Sequence, residues 1–202
     1  MDTHQITELI RHRRTVKPID NAGSSNYSER EITRETIELL IANANWAPTH
    51  GLTEPWRFCV YPTKQSLVDL AVFLEQQYRP NTSEDSYNEQ KLIKMLAYAK
   101  EASAAIVLGM ERHPGKIVAE EEVMAVACAV QNLHLTATTM GLGVFWSTNP
   151  IYDIPSSREY FGWLGEEDRC LGILYLGFPV NEWPERKRGA PGDVADKTEW
   201  RE

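Results

Sequence analysis

The longest apolar stretch of this chain predicts one long helix, and it constrains the fold more than any other segment does. From Val123 to Met140, apolar residues occupy nearly every face of a helix, and the polar exceptions are Gln131, Asn132 and His134. Such a helix is roughly 30 Å long and has so little polar surface that it must be buried. In a chain of 202 residues, a subunit interface is a natural place to bury it.

Three glutamates, Glu120 to Glu122, open this helix. A carboxylate cluster could serve acid–base chemistry or bind a metal ion. Negative charges at a helix start are explained more simply by their favourable interaction with the helix dipole. We adopt this simpler interpretation.

Two other runs predict buried strands, because residues 104–110 and 170–177 are apolar without polar alternation. Shorter strands are predicted at Phe58–Tyr61 and Val144–Trp146, on either side of the long helix in sequence. Apolar residues at helical spacing predict amphipathic helices, the first of them capped by Thr33. These helices cover residues 33–44, 64–78, 89–100 and 156–161.

The composition excludes several classes of protein. A net charge of −8 argues against a nucleic-acid-binding surface. Cys59, Cys128 and Cys170 lie far apart in apolar surroundings, which predicts buried free thiols in a reducing compartment. The N-terminus lacks the pattern of a signal peptide, and no segment has the ~20 uninterrupted apolar residues of a membrane helix. We therefore expect a cytoplasmic protein without a membrane partner.

Residues 46–57 form a predicted helix-to-strand loop that is rich in ionisable and aromatic side chains, which a simple connection does not require. The loop contains His50, Glu54 and two tryptophans, Trp46 and Trp56, that could flank a flat ligand. A second interpretation is purely structural. The tryptophans would then pack in the hydrophobic core, and His50 would be an ordinary surface or core residue.

Ile6, Leu9 and Ile10 predict a further helix near the N-terminus, and positive charge accumulates where it ends, at Arg13 and Arg14. Thr15 and Pro18 follow. Taken alone, this segment is most simply a solvated basic helix end, which the dipole of a helix C-terminus favours.

A set of short motifs occurs along the chain in a fixed order. No single motif is specific, but together they cover nearly the whole chain. They are Arg13-Arg14-Thr15, Ala47-Pro48-Thr49 followed by Glu54-Pro55-Trp56-Arg57-Phe58, the long helix, the segment Gly141–Thr148, the strand before Gly177-Phe178-Pro179, and Arg186-Lys187-Arg188. The ordered set resembles the nitroreductase family of flavin enzymes, in its compact single-domain branch.

The resemblance implies an α+β fold, namely a three-layer α/β/α sandwich around a central, mostly antiparallel sheet. It further implies that residues 1–202 form a single domain and that two copies intertwine as a homodimer with two FMN molecules at the interface. Residues 178–202 would form a C-terminal extension over the partner subunit.

The resemblance also implies a cofactor site. The basic segment near the N-terminus would clamp the phosphate and polar flavin atoms, and the 46–57 loop would contact the cofactor from the same or the partner subunit. The implied cofactor-binding residues are Arg13, Arg14, Thr15, Trp46, His50, Trp146, Ser147, Thr148, Arg186 and Arg188. The five histidines are scattered without metal-ligand spacing, so we predict neither a metal site nor a catalytic side-chain acid or base.

The implied activity is hydride transfer from NADH or NADPH to FMN and then to a flat nitroaromatic or quinone acceptor. Three alternatives stay open: an FMN enzyme that dehydrogenates a substrate with oxygen as acceptor, a flavin-binding protein without turnover, and a structural dimer without flavin. Two residues depart from the family pattern. Glu54 stands where many relatives have glutamine, and a carboxylate there would disfavour an anionic reduced flavin. Trp46 stands where relatives often have a smaller or basic residue.

Overall fold

Helices and strands alternate irregularly along the chain. The computed structural model describes residues 2–184 and 191–201, and within these ranges there are six α-helices and four strands. Short 3-10 turns lie between them, including one at His50–Leu52. In chain order, the elements are α1 (Thr3–His12), α2 (Arg34–Ala44), β1 (Trp56–Tyr61), α3 (Lys64–Tyr78), α4 (Glu89–Glu101), β2 (Ala104–Met110), α5 (Ala119–Thr139), β3 (Gly143–Ser147), α6 (Pro155–Phe161) and β4 (Arg169–Gly177).

The four strands form one sheet in the order β1-β2-β4-β3, and every neighbouring pair is antiparallel. At the β3 edge, the chain after α1 runs beside the sheet, where Thr15 forms an isolated parallel bridge with Val144. The β1 edge pairs with no other strand among the described residues.

Alternate residues of the central strands face two separate cores. Ile106 and Leu174 face one core, which α2 and α5 cover, whereas Val107 and Ile173 face the other, which α3, α4 and α6 cover. Because side chains on successive strand residues point to opposite faces, a strand buried on both faces must be apolar throughout. The α+β class and the three-layer arrangement are therefore confirmed.

Helix α5 spans the sheet but is not fully covered within one chain. Val126 and Leu133 are completely buried, whereas Met124 is 58% exposed and Cys128 is also exposed. The prediction that all three cysteines are buried is thus wrong for Cys128 in the single chain. Cys59 is half-buried, and Cys170 is buried. The apolar residues of α5 exceed what the sheet and α2 can cover.

Local signals explain most helix starts. Thr33 accepts a hydrogen bond from the Thr36 amide at the start of α2, as its position predicts. Thr63 caps α3 in the same way through the amide of Ser66. Strand β1 begins at Trp56, two residues earlier than predicted, because Trp56 already pairs with Met110 of β2. Among the described residues, no helix is long and apolar enough to cross a membrane.

Candidate functional site

A polar cleft of about 260 Å³ opens between the segment after α1, the middle of α5 and strand β3. The bridge between Thr15 and Val144 fixes this segment in an extended conformation, in which alternate side chains share a face. Arg13 and Thr15 consequently face the cleft together. The lining residues are Arg13, Thr15, Ala127, Val130, Gln131, His134 and Trp146.

Arg14 has a different environment. Its Nη1 donates hydrogen bonds to the carbonyl oxygens of Arg11, at 2.5 Å, and Arg13, at 2.9 Å. These contacts satisfy carbonyl groups left over at the C-terminal end of α1. Of the three adjacent residues predicted to hold a cofactor, the structure brings Arg13 and Thr15 to the cleft and uses the Arg14 guanidinium at the helix end.

His134 is a buried ionisable group of the cleft, and it was not among the predicted site residues. Only 7% of its surface is exposed. Burial, aided by the positive charge of Arg13, lowers the pKa of His134 to about 4, so its imidazole is neutral at pH 7. A sequence signal did exist, because His134 interrupts an apolar helix. That signal alone does not distinguish a ligand-facing histidine from one packed in a core.

Strand β3 positions the predicted residues Trp146, Ser147 and Thr148. The Trp146 indole lines the cleft, where its Nε1 donates a hydrogen bond to the Leu171 carbonyl at 2.9 Å. Ser147 is buried with its hydroxyl 3.5 Å from that of Tyr152, whereas Thr148 is exposed beyond the strand end. Trp146 is therefore the member of this trio whose side chain faces the cleft.

Gly172 permits the close packing behind Trp146. Its φ of 130° lies in the region that favours glycine, and a Cβ there would lie 2.5 Å from the Ser147 carbonyl oxygen and 2.6 Å from the Trp146 Nε1. Any larger residue would displace the indole or the strand. The aromatic wall of the cleft thus depends on a glycine in the neighbouring strand β4.

The 46–57 loop lies elsewhere in the single chain. His50 pairs through Nδ1 with the Glu121 carboxylate at the start of α5, and Trp46 is 85% exposed. Glu121 and Gln131 are separated by ten residues of α5, or about 15 Å of helix. Within one chain, the structure does not bring His50 or Trp46 to the cleft.

The backbone of this loop is strained. Leu52 and Glu54 have φ values of 53° and 45°, a left-handed conformation that is costly for residues other than glycine. Arg57 holds the loop by donating to the Glu54 carbonyl at 2.9 Å and pairing with the Glu111 carboxylate. Strain of this kind persists only where surrounding contacts enforce it.

A larger surface concavity of about 520 Å³ lies between α2 and β1, away from the cleft. Glu38, Glu54 and Arg57 line its polar side, and Trp56 and Phe58 line its apolar side. We take the smaller cleft as the candidate site, because it alone of the two contains the predicted residues Arg13, Thr15 and Trp146.

The C-terminal segment passes close to the cleft before it leaves the described region. Trp183 stacks on His12 with 5.5 Å between ring centroids and donates its indole N–H to the His12 carbonyl at 2.8 Å. This contact places residue 183 beside the end of α1. The predicted residues Arg186 and Arg188 lie outside the described residues.

The start of α5 carries a charged cluster of its own. Glu122 is completely buried, where its carboxylate pairs with Arg112 and accepts a hydrogen bond from His113 at 2.8 Å. Within residues 2–184 and 191–201, no group of three or more His, Cys, Asp or Glu side chains is arranged to hold a metal ion. The helix-dipole interpretation of Glu120 to Glu122 did not predict this cluster. Its other members, Arg112 and His113, come from the turn before α5.

Comparison with known proteins places this architecture in a family. The Nitroreductase family model matches residues 10–178. The chain is 23% identical over 189 residues to the Bacillus subtilis (strain 168) protein named "Putative NAD(P)H nitroreductase YfhC", covering 92% of this chain and 90% of that protein.

Solved structures agree with the sequence comparison. A nitroreductase-like family protein from Bacillus cereus aligns over 98% of this chain and 96% of its own, with 26% identity and a TM-score of 0.76. An FMN and NADPH-dependent nitroreductase, NfnB from Sphigopyxis sp. strain HMH, shares the fold at 16% identity, with a TM-score of 0.69 over 97% and 98% of the two chains. With most of its length matched by the family model, the chain belongs to the nitroreductase family.

Proposed function

We propose that this protein is an FMN-dependent oxidoreductase that transfers a hydride from NADH or NADPH, by way of the flavin, to nitroaromatic or quinone-type acceptors. The observation that carries the proposal is the convergence of Arg13, Thr15 and Trp146 in one cleft on α5, in a chain of this family. The names of its relatives include NAD(P)H and NADPH as donors and FMN as cofactor, which supports both assignments.

The cleft chemistry fits FMN. An arginine guanidinium suits a phosphate group because its N–H donors match pairs of phosphate oxygens. The Thr15 hydroxyl and the Gln131 amide can bond to polar ribityl or ring atoms, and the Trp146 indole offers an apolar surface to a flat ring. Apart from Arg13, the lining side chains are uncharged at neutral pH, so Arg13 would direct the phosphate end of the cofactor.

The size of the cleft favours a site completed by a second copy of the chain. Small-molecule sites usually measure roughly 300–1,000 Å³, and this cleft, at about 260 Å³, lies below that range. The exposed face of α5, with Met124 and Cys128, is the natural contact surface for a second copy. We propose a homodimer in which FMN lies at the interface, with His50 and Trp46 contacting the cofactor from the partner subunit.

Residues 178–202 are proposed to extend over that partner. Residues 191–201 are exposed throughout, Trp200 is 86% exposed, and the β1 edge offers unpaired backbone groups. An exposed tryptophan on a short tail gains most from burial against another surface. Arg186 and Arg188 remain proposed neighbours of the phosphate.

The bound flavin would supply the redox chemistry. The residues of this chain bind and orient it: Arg13 holds the phosphate end, and the fixed Trp146 indole limits where a flat ring can lie. In this proposal, no side chain of the described residues acts as an acid or base.

An anaerobic visible spectrum of the FMN-reconstituted protein tests the proposal. We expect NADH or NADPH to bleach the flavin absorption bands, and a quinone or nitroaromatic compound to restore them. Bleaching reversed only by oxygen would favour a different flavin reaction. A flavin that neither nucleotide bleaches would favour a binding protein without turnover, and a protein that takes up no FMN would contradict the proposal.

A further inference from the structure

His134 is a buried ionisable residue of the cleft to which the proposed reaction assigns no task. It lies on the face of α5 that carries Val130 and Gln131, and it lines the same cleft as Arg13 and Trp146. Its carbonyl accepts a hydrogen bond from the Thr138 hydroxyl at 2.8 Å, an ordinary contact within a helix. This contact involves only the backbone of His134, so it does not account for the burial of the imidazole ring.

The imidazole makes no hydrogen bond to any other side chain or backbone group of the described residues. Only 7% of the residue is exposed, yet its ring nitrogens are not among the completely enclosed polar atoms of the described residues, so the open cleft is where a partner can reach them. A histidine used only to fill space would be better replaced by leucine at this position, which shares the cleft-lining face of α5 with Ala127 and Val130. An unpaired ring at a cleft wall points to a partner that enters the cleft.

The charges around the cleft select the type of partner. A cation would be repelled by Arg13, and an apolar ligand would leave the imidazole N–H unpaired. A neutral imidazole has one N–H donor and one acceptor nitrogen. An anionic oxygen atom can accept a hydrogen bond from that donor and is also attracted by the positive charge of Arg13.

We propose that His134 is a cofactor-binding residue that donates its ring N–H to the phosphate of FMN, next to Arg13. This inference rests on the proposed function, since it assumes that FMN occupies the cleft. It adds a second polar residue of α5 to the site, beside Gln131. It also explains why a polar ring interrupts the apolar surface of α5.

Titrations with FMN and riboflavin separate a phosphate contact from a ring contact, because riboflavin lacks the phosphate. We expect His134→Leu to weaken FMN binding about tenfold, as the loss of one hydrogen bond to a charged group predicts, and to leave riboflavin binding unchanged. His134→Gln keeps an N–H donor and should recover most of the FMN affinity. His4→Leu, an exposed histidine in α1, is the matched control and should bind both flavins like the wild type.

The flavin titrations separate the phosphate contact of His134 from the proposed reductase activity. If His134→Leu binds FMN as tightly as the wild type, or weakens FMN and riboflavin equally, the phosphate contact is refuted while the reductase proposal stands. A wild-type protein that binds neither flavin refutes both.

A second measurement avoids dependence on the folding of a variant. In wild-type protein, the His134 ring pKa followed by NMR should rise on adding FMN and stay unchanged on adding riboflavin, because only FMN brings a negative charge to the ring. An equal shift with both flavins, or no shift with either, overturns the proposal.

Discussion

The two ends of helix α5 use polar residues in opposite ways. At its start, Glu121 and Glu122 are paired with His50, Arg112 and His113. In the cleft beside its second half, the His134 ring and the Thr15 hydroxyl make no hydrogen bond to other described residues. The first arrangement is complete within one chain, whereas the second needs a ligand.

We therefore expect the polar residues at the start of α5 to stabilise the fold and the polar residues at the cleft to bind a ligand. Removing a member of a completed buried cluster leaves its partner charged and unpaired, so the cost falls on folding. Removing a residue whose partner is a ligand costs affinity and leaves folding almost intact. On this basis, the expected effects decrease from Glu122 through His134 and Arg13 to the His50–Glu121 pair.

Substitution at Glu122 should have the largest effect on stability. The Glu122 side chain is 0% exposed and its partner Arg112 is 9% exposed, so Glu122→Ala leaves a buried guanidinium whose remaining carboxylate is the exposed Glu167, at 3.5 Å. We expect the free energy of unfolding to fall by about 3–5 kcal/mol. Urea unfolding at one fixed protein concentration measures this. A loss below 1 kcal/mol would show that the cluster is not a structural unit.

Acid should destabilise the FMN-free protein through His134. Its pKa is about 4 when folded and ordinarily 6.5, so between these values the unfolded chain binds more protons than the folded one. The free energy of unfolding then falls as the pH drops from 6.5 to 4, by roughly 3 kcal/mol for this group. The pH dependence of unfolding should therefore be steeper for the wild type than for His134→Leu. Equal slopes would contradict the buried, neutral state of the ring.

Arg13 and Arg14 should differ in their effect on FMN binding. Because only Arg13 lines the cleft, Arg13→Ala should weaken FMN affinity by about 2 kcal/mol, or roughly 30-fold. Arg14→Ala should have a smaller effect, through loosening of the α1 end, where Arg14 bonds to the Arg11 and Arg13 carbonyls. Flavin fluorescence titration measures both. A larger loss with Arg14→Ala would place the phosphate on the other side of this segment.

The His50–Glu121 pair should matter least for stability. The two side chains are 68% and 37% exposed, and exposed ion pairs contribute about 0–1 kcal/mol. Glu121→Ala is also the matched control for Glu122→Ala, since it removes the neighbouring carboxylate. We expect a change below about 1 kcal/mol in urea unfolding. A loss as large as that for Glu122→Ala would contradict the expectation that the exposed pair contributes less to stability than the buried pair.

Local patterns in the sequence predicted most elements of the fold. The bounds of α3 and β2 agree with the predicted ranges, because Thr63 caps the helix and the strand is apolar on both faces. Thr33 marks the start of α2 for the same reason. Such signals act over a few residues and do not depend on the rest of the fold.

The remaining features depend on contacts that are distant in sequence. The apolar character of α5 indicates its total burial but not what buries it, so Cys128 is exposed in a single chain. The separation of Arg14 from Arg13 follows from the bridge between Thr15 and Val144, 129 positions apart. The importance of His134 depends on which face of α5 meets Arg13, and the helical pattern does not encode this.

Native mass spectrometry of the protein with excess FMN tests whether two chains share the flavin site. We predict one dominant species containing two chains and two FMN molecules, because the cleft of one chain is small and the exposed face of α5 needs a partner. A single chain that carries FMN would contradict the shared site. A dimer that never takes up FMN would contradict the assignment of the cleft as a flavin site.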